Sequence, residues 1–292
     1  MDYQGIIIRP PSEANSLILQ VTVGCTHNKC TFCPTYKDVF FRLKDTDTIE
    51  KDIRYAKEKW GSLVRRIFLC DGDVLTLKSE YLIKILNRLN EAFPNLTRVG
   101  VYGSHKSLKN KSVDDLIELK KRKLGIVYFG IESGDDEVLK RVNKGATSKE
   151  IIEACKMIKE AQIKLSVTVL LGIGGVELSK NHAINTGKIL SEIQPDYVGA
   201  LTVILCENTP LYDEMISGKF KLPSPLALLE ELKIMLEHTE LKKGLFMANH
   251  ASNYLPLKLR MPEDKQKALE LLRNIILEKN ESLLKPEFLR AL

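Results

Sequence analysis

Short apolar runs alternate with longer amphipathic stretches along most of this chain. Leu17–Val23, Arg66–Cys70, Arg98–Tyr102, Ile126–Ile131, Leu165–Leu171 and Asp196–Leu205 are rich in Val, Ile, Leu and aromatic residues, and Gly, Asp or Pro bounds most of them. Runs of this length and composition read as strands. Between them, Thr48–Trp60, Glu80–Phe93, Ser112–Lys123, Ser148–Gln162 and Ser179–Ile193 carry apolar residues at helical spacing. The third of these opens on a Ser followed by acidic residues, a helix-start signal. The resulting βαβαβαβαβαβ order predicts an α/β fold with a parallel sheet and right-handed crossovers. Six units with short loops fit a partial (β/α)6 barrel better than a closed eight-strand one. After Pro210 the pattern changes. Helical stretches near Pro225–Glu240 and Asp264–Lys279 flank the polar segment Phe246–Tyr254, with no strong strand between them. The predicted organisation is an N-terminal arm over 1–14, a core over 15–215 and a mostly helical C-terminal extension over 216–292.

Composition changes this picture little. With 292 residues, 44% hydrophobic and 28% charged, the chain is an ordinary globular protein with enough length for a sizeable core. No apolar run approaches the ~20 residues that span a bilayer. The first residues, with only Ile6-Ile7-Ile8 as an apolar run, lack a signal-peptide pattern. A cytoplasmic location is expected, without a membrane partner. The net charge of +6 fits either a solvated surface or an anionic substrate such as a carboxylate, a phosphate or RNA.

Cysteine placement is more telling. In a reducing compartment disulfides are not expected, so each of the six cysteines is either a small core residue or a ligand. Cys155 falls mid-helix and reads as core. Cys70 and Cys206 end strands, where a thiol is either core packing or a hydrogen-atom donor to a radical. Cys25, Cys30 and Cys33 crowd into nine residues directly after the first strand. In parallel α/β folds the site lies at the carboxyl ends of strands. Short cysteine spacings let one loop wrap an iron–sulfur cluster. Three ligands on a four-iron cluster leave one iron open, and an open metal position marks a reactive site. With His27, the same thiols could instead hold a structural zinc. The other strand-end loops open at Asp71, Gly103, Glu132, Gly172 and Cys206. In the C-terminal part, Asn249–Tyr254 is the densest polar run. It reads either as a turn before Pro256 or as a substrate-facing patch in which His250 or Tyr254 moves a proton. Arg9 and Glu13 read as a solvated arm or as substrate contacts.

Four segments together carry a family resemblance: Gly24–Tyr36 (GCTHNKCTFCPTY), Phe68–Val74 (FLCDGDV), Gly130–Gly145 (GIESGDDEVLKRVNKG) and Thr168–Gly175 (TVLLGIGG). In them the chain resembles the radical SAM superfamily, more narrowly its Elp3/MiaB-like branch, over about residues 15–215. The family's common signature is C-x3-C-x2-C, and this chain has one more residue in the first gap. The resemblance implies two cofactors, a [4Fe–4S] cluster on Cys25, Cys30 and Cys33 and S-adenosylmethionine (SAM) on the open iron. It implies that Phe32 contacts adenine. It also implies that Asp71-Gly72-Asp73 replaces a Gly-Gly-Glu turn whose backbone meets the SAM amine, with Gly72 and Asp73 at the cofactor. Glu132 would take the ribose hydroxyls, and Ser133, Arg141 or Lys144 the SAM carboxylate. The Gly172 turn would admit adenine.

The implied chemistry is one-electron cleavage of SAM to a 5′-deoxyadenosyl radical, which abstracts hydrogen from a substrate; the protein supplies position and exclusion of water. The implied partners are a small-to-medium organic substrate, anionic in view of the basic balance, and an electron donor such as flavodoxin or ferredoxin. Modification of tRNA or a peptide is the alternative substrate class. A second three-cysteine cluster, which would favour a methylthiotransferase, is absent from the sequence. A cluster or haem carrier on the same fold is the non-enzymatic reading.

Overall fold

The computed structural model describes residues 1–279 and 281–291. In chain order its elements are β1 (Leu17–Gln20), β2 (Thr22–Val23), β3 (Arg42–Leu43), α1 (Thr46–Trp60), β4 (Arg66–Cys70), α2 (Ser79–Ala92), β5 (Arg98–Gly103), α3 (His105–Leu108), α4 (Val113–Lys121) and β6 (Leu124–Glu132). There follow α5 (Asp136–Arg141), α6 (Ser148–Glu160), β7 (Lys164–Leu171), α7 (Gly175–Ile193), β8 (Tyr197–Thr202), α8 (Pro210–Ile216), α9 (Pro225–Glu237), β9 (Gly244–Met247), β10 (Lys258–Met261) and α10 (Lys265–Leu277). The main sheet has eight strands in the order β1-β4-β5-β6-β7-β8-β9-β10, and β2 pairs with β3 separately. All six predicted strands are present. The first is cut short at Gln20, and Thr22–Val23 pairs with Arg42–Leu43 instead. No helix among the described residues is long and apolar enough to cross a membrane.

By compactness the chain divides into two units. The first comprises 1–28, 35–129 and 153–165. Here β1 runs parallel to β4, β4 to β5, and β5 to β6, with Leu17 beside Ile67 and Arg66 beside Arg98. Ile67, Leu69 and Val101 of the strands and Ile53, Leu86 and Leu89 of α1 and α2 are buried in its core, while Phe68, on the alternate face, packs edge-on against Tyr102 and Tyr128. The helix starts follow local chemistry. Asp45 accepts from the Thr48 amide at 2.9 Å ahead of α1, and Ser112 and Asp115 form a reciprocal capping box ahead of α4. Glu13 is buried, not solvated. It takes the Arg98 guanidinium and, at 2.5 Å, the Tyr128 hydroxyl at the amino end of β5. Arg9 is exposed.

The second unit comprises 29–34, 130–152 and 166–292. Here β7, β8 and β9 are parallel and β10 returns antiparallel to β9. The polar segment expected to lack strands is therefore bordered by two. Four-residue strands are too short for periodicity to reveal, and β9 exists because Tyr197–Gly199 offers it a ladder. α9 packs against α7 and α10, and Ser224 caps it with Pro225 in the first turn.

Candidate functional site

The cysteine loop leaves β2 at Gly24, whose φ is +83°. A Cβ there would stand 3.2 Å from Val39 Cγ1 and 3.4 Å from the Phe41 backbone, so only glycine suits the turn. The β2–β3 pair closes the loop at its base. Thr26 Oγ1 donates to Asp73 Oδ2 at 2.7 Å, and Ser104 Oγ donates to the same oxygen at 2.7 Å. Lys106 Nζ donates to His27 Nδ1 at 2.6 Å. Asn28 takes φ +43°, which Asn tolerates better than most side chains. Its amide crosses to the Tyr36 carbonyl and, at 3.3 Å, to that of Val39. Within the long first gap between the cysteines, Asn28 thus makes a left-handed turn tied back to the Tyr36 and Val39 carbonyls. The Asp71-Gly72-Asp73 turn lies against the loop. Gly72 N–H donates to the Gly24 carbonyl at 3.2 Å, and a Cβ on Gly72 would meet Tyr36 Cε2 at 2.9 Å and Cys25 Cβ at 3.2 Å.

Residues 29–34, which belong to the second unit, are held by backbone. Thr31 N–H donates to the Val142 carbonyl and Leu211 N–H to the Thr31 carbonyl, both at 3.0 Å. Phe32 is half-buried against an apolar cluster that includes Val138, Val142, Leu211 and Phe220. Cys30 and Cys33 are half-buried, as is Cys206. Cys206 sits in the loop beyond β8 and not at the strand end. Burial and then the charge of Cys33 push its thiol pKa up.

The segment after β6 is built around a carboxylate. Glu132 ends the strand with φ +65°, and Lys144 Nζ meets its Oε1 at 2.8 Å. Any Cβ on Gly130 would stand 2.2 Å from that oxygen, so the glycine makes room for the acid. The three candidates for a carboxylate partner are dispersed. Lys144 stays with Glu132. Ser133 Oγ turns inward to His182 Nδ1 at 2.8 Å. Arg141 donates to Glu177 at 3.2 Å and to the Lys219 carbonyl at 2.8 Å, and lies over the Phe220 ring.

Sequence reasoning missed a buried pair behind these turns. Glu231 of α9 accepts the Gly172 amide at 2.6 Å and the Ser179 hydroxyl, and its Oε1 lies 3.6 Å from His182 Nε2. Burial pushes the Glu231 carboxyl up to about 7 and the His182 imidazole down to about 4. The signal was present in the spacing, because Glu231 sits on the face of α9 that carries Leu228 and Met235. Gly172 itself has φ +82°, with Leu222 and Leu228 2.9 Å from where a Cβ would be.

The C-terminal polar run is largely satisfied within its own unit. Ser252 Oγ accepts the Thr202 amide at 3.1 Å, and Asn253 binds Thr202 Oγ1 at 2.7 Å and the Ala200 carbonyl at 2.8 Å. Tyr254 is buried, with its hydroxyl on Glu287 and Arg290 stacked over its ring. His250 is half-buried and pairs with Ser252 Oγ at 2.9 Å; burial, then Lys285, lowers its pKa.

None of the six cysteines forms a disulfide. Among the described residues no three His, Cys, Asp or Glu side chains converge as a site for one metal ion. Cluster ligands stand farther apart than those of a single ion. Three thiols on one irregular loop are the soft donor set that iron–sulfur chemistry uses.

The family model described as "Radical SAM superfamily" matches residues 19–184, more than half of the chain. The chain is 21% identical over 223 residues to the heme chaperone HemW of Bacillus subtilis, covering 74% of this chain and 58% of HemW. It is 22% identical over 258 residues to the threonylcarbamoyladenosine tRNA methylthiotransferase MtaB of Rickettsia prowazekii, covering 82% of this chain and 60% of MtaB. The chain thus spans about three fifths of the length of these two relatives. Methylornithine synthase (PylB) shares the fold, with a TM-score of 0.54 at 16% identity over 77% of this chain and 63% of the synthase. With Glu132 at the end of β6 and the cysteine loop after β2 both inside the matched region, the chain belongs to the radical SAM superfamily, whose cofactors are a [4Fe–4S] cluster and SAM.

Proposed function

We propose that this chain is an enzyme that cleaves SAM reductively at a [4Fe–4S] cluster held by Cys25, Cys30 and Cys33, and turns the resulting radical on an organic substrate. The observation that carries the reading is the cysteine loop itself. Its three thiols are in no disulfide, it is closed at its base by β2–β3, and it is pressed against the Asp71–Asp73 turn. When bound, the cluster and SAM supply a one-electron bond cleavage that ends in hydrogen abstraction. The side chains supply placement. Phe32 offers an apolar face to the adenine, and the Gly172 turn offers backbone without a Cβ. Glu132, oriented by Lys144 at 2.8 Å, would accept the ribose hydroxyls. Ser133 and Arg141, turned to partners within the chain, act in this reading by shaping the loop, and Lys144, paired with Glu132, would be the cation for the SAM carboxylate. Electrons come from a flavodoxin- or ferredoxin-type donor. A small organic acid is the substrate class that the basic balance favours. The likeness to MtaB makes tRNA the second class to assay.

The test is anaerobic reconstitution followed by addition of reductant and SAM. The expected protein carries about four irons, loses them when any of the three cysteines becomes Ala, and releases 5′-deoxyadenosine. Zinc in place of iron would refute the site. SAM binding with no 5′-deoxyadenosine, even with candidate substrates, would replace catalysis by a carrier role, which the likeness to HemW supports.

A further inference from the structure

We infer that Asp71 is the positioning residue of the cysteine loop, tying both of its ends to one buried carboxylate. Asp71 is 1% exposed. Its Oδ1 accepts the Tyr36 hydroxyl at 3.1 Å, at the far end of the loop. Its Oδ2 accepts the Gly24 amide at 3.4 Å, at the near end, and Gln20 Nε2 at 3.0 Å. The Asp71 amide donates to Thr22 Oγ1 at 3.0 Å, so backbone and side chain grip the same stretch. Gly72 adds its own bond to the Gly24 carbonyl at 3.2 Å. A carboxylate this buried is tolerated only when hydrogen bonds satisfy it, and here every donor comes from the loop or the strand leading into it. The side chain is therefore spent inside the protein and is not offered to a cofactor.

This arrangement accounts for a departure in the sequence. Asp71 stands where the family's turn has glycine, and glycine has no side chain with which to reach Gly24 and Tyr36. The loop it holds is also one residue longer than the common motif. Pinning two points of an irregular loop removes much of the chain entropy that would otherwise be lost when three thiols are brought onto one cluster. Asn28, bonded to the Tyr36 and Val39 carbonyls, braces the added length from the other side.

The inference rests on the reading that this loop binds the cluster, but its first test does not. Hydrogen exchange by mass spectrometry is measured on iron-free protein for wild type, Asp71→Asn, Tyr36→Phe and the double variant. Tyr36→Phe removes one hydroxyl only and guards against a folding defect in Asp71→Asn. Loss of a bond to a charged group predicts about tenfold faster exchange in the peptide 24–36. Peptides from α4 and α7 should stay at wild-type rates. The double variant should fall short of the sum of the singles, because the Tyr36 hydroxyl bond to Asp71 is common to both. Tyr128→Phe, which deletes a buried hydroxyl bond elsewhere in the unit, should leave the loop unchanged. In reconstituted protein the two single variants should release iron to a chelator about tenfold faster than wild type. Loop exchange at the wild-type rate in both variants would overturn the inference, as would equal acceleration by Tyr128→Phe. If wild type takes up no cluster, the functional reading falls, while the exchange result still decides the role of Asp71.

Discussion

Replacing Glu231 with Gln should change how the stability of this protein depends on pH, by an amount the buried pair makes calculable. Glu231 and His182 are both fully buried and 3.6 Å apart. Burial raises the carboxyl from 4.5 to about 7, against the opposing pull of the Ser179 and Gly172 hydrogen bonds. Burial lowers the imidazole from 6.5 to about 4. A carboxyl with a raised pKa holds its proton more tightly folded than unfolded. At ~1.36 kcal/mol per pH unit it contributes about 3 kcal/mol. That stability is present below pH 4.5 and is lost as pH climbs through about 7. The lowered imidazole works in the opposite sense. Its contribution, also about 3 kcal/mol, is present above pH 6.5 and is lost as pH falls through about 4. In the wild type the two nearly cancel over the range they share. Gln cannot titrate, yet it keeps an acceptor for the Gly172 amide. The variant should therefore become more stable as pH rises from about 4 to 6.5, with no compensating fall beyond. Relative to wild type it should gain about 3 kcal/mol between pH 4.5 and 7. Urea unfolding followed by circular dichroism, repeated across that window, measures the difference. Parallel stability curves for the two proteins would refute the argument, since a titrating buried carboxyl must leave a pH-dependent gap.

Gly72→Ala places a Cβ 2.9 Å from Tyr36 Cε2 and 3.1 Å from the Gly24 carbonyl. It should cost about 1–3 kcal/mol and lower iron retention, read by urea unfolding and iron assay. Phe68→Ala empties a fully buried position packed edge-on against Tyr102 and Tyr128. Unfolding free energy should fall by about 3–5 kcal/mol. Glu13→Ala strands the Arg98 guanidinium and leaves the Tyr128 hydroxyl to Ser12 Oγ at 2.7 Å, and calorimetry should show a loss of about 3 kcal/mol with iron loading unchanged, because Glu13 lies at the amino end of β5. His250→Ala should leave iron content and SAM binding at wild-type levels in equilibrium dialysis; loss of the cluster would contradict a role toward substrate.

Much of this protein was decided locally. The six parallel strands were legible because each is a compact run of branched and aromatic residues, and most lie within two residues of the predicted bounds. The helix start at Ser112 was legible because capping is a contact between near neighbours. The candidate cofactor loop was legible because Cys25, Cys30 and Cys33 are close in sequence and thiols are rare. The tertiary structure alone decided what surrounds those residues. The pairs that matter join positions far apart: Gly24 with Asp71, Ser133 with His182, Gly172 with Glu231. No periodicity encodes such a pairing, since a buried acid on an apolar helix face shows that a partner exists without naming it. β9 and β10 were hidden for a related reason. A four-residue strand has no pattern of its own, and its backbone donors and acceptors find their ladder only once β8 is in place. Local chemistry set the elements and the thiols, and long-range hydrogen bonding chose which turns they hold.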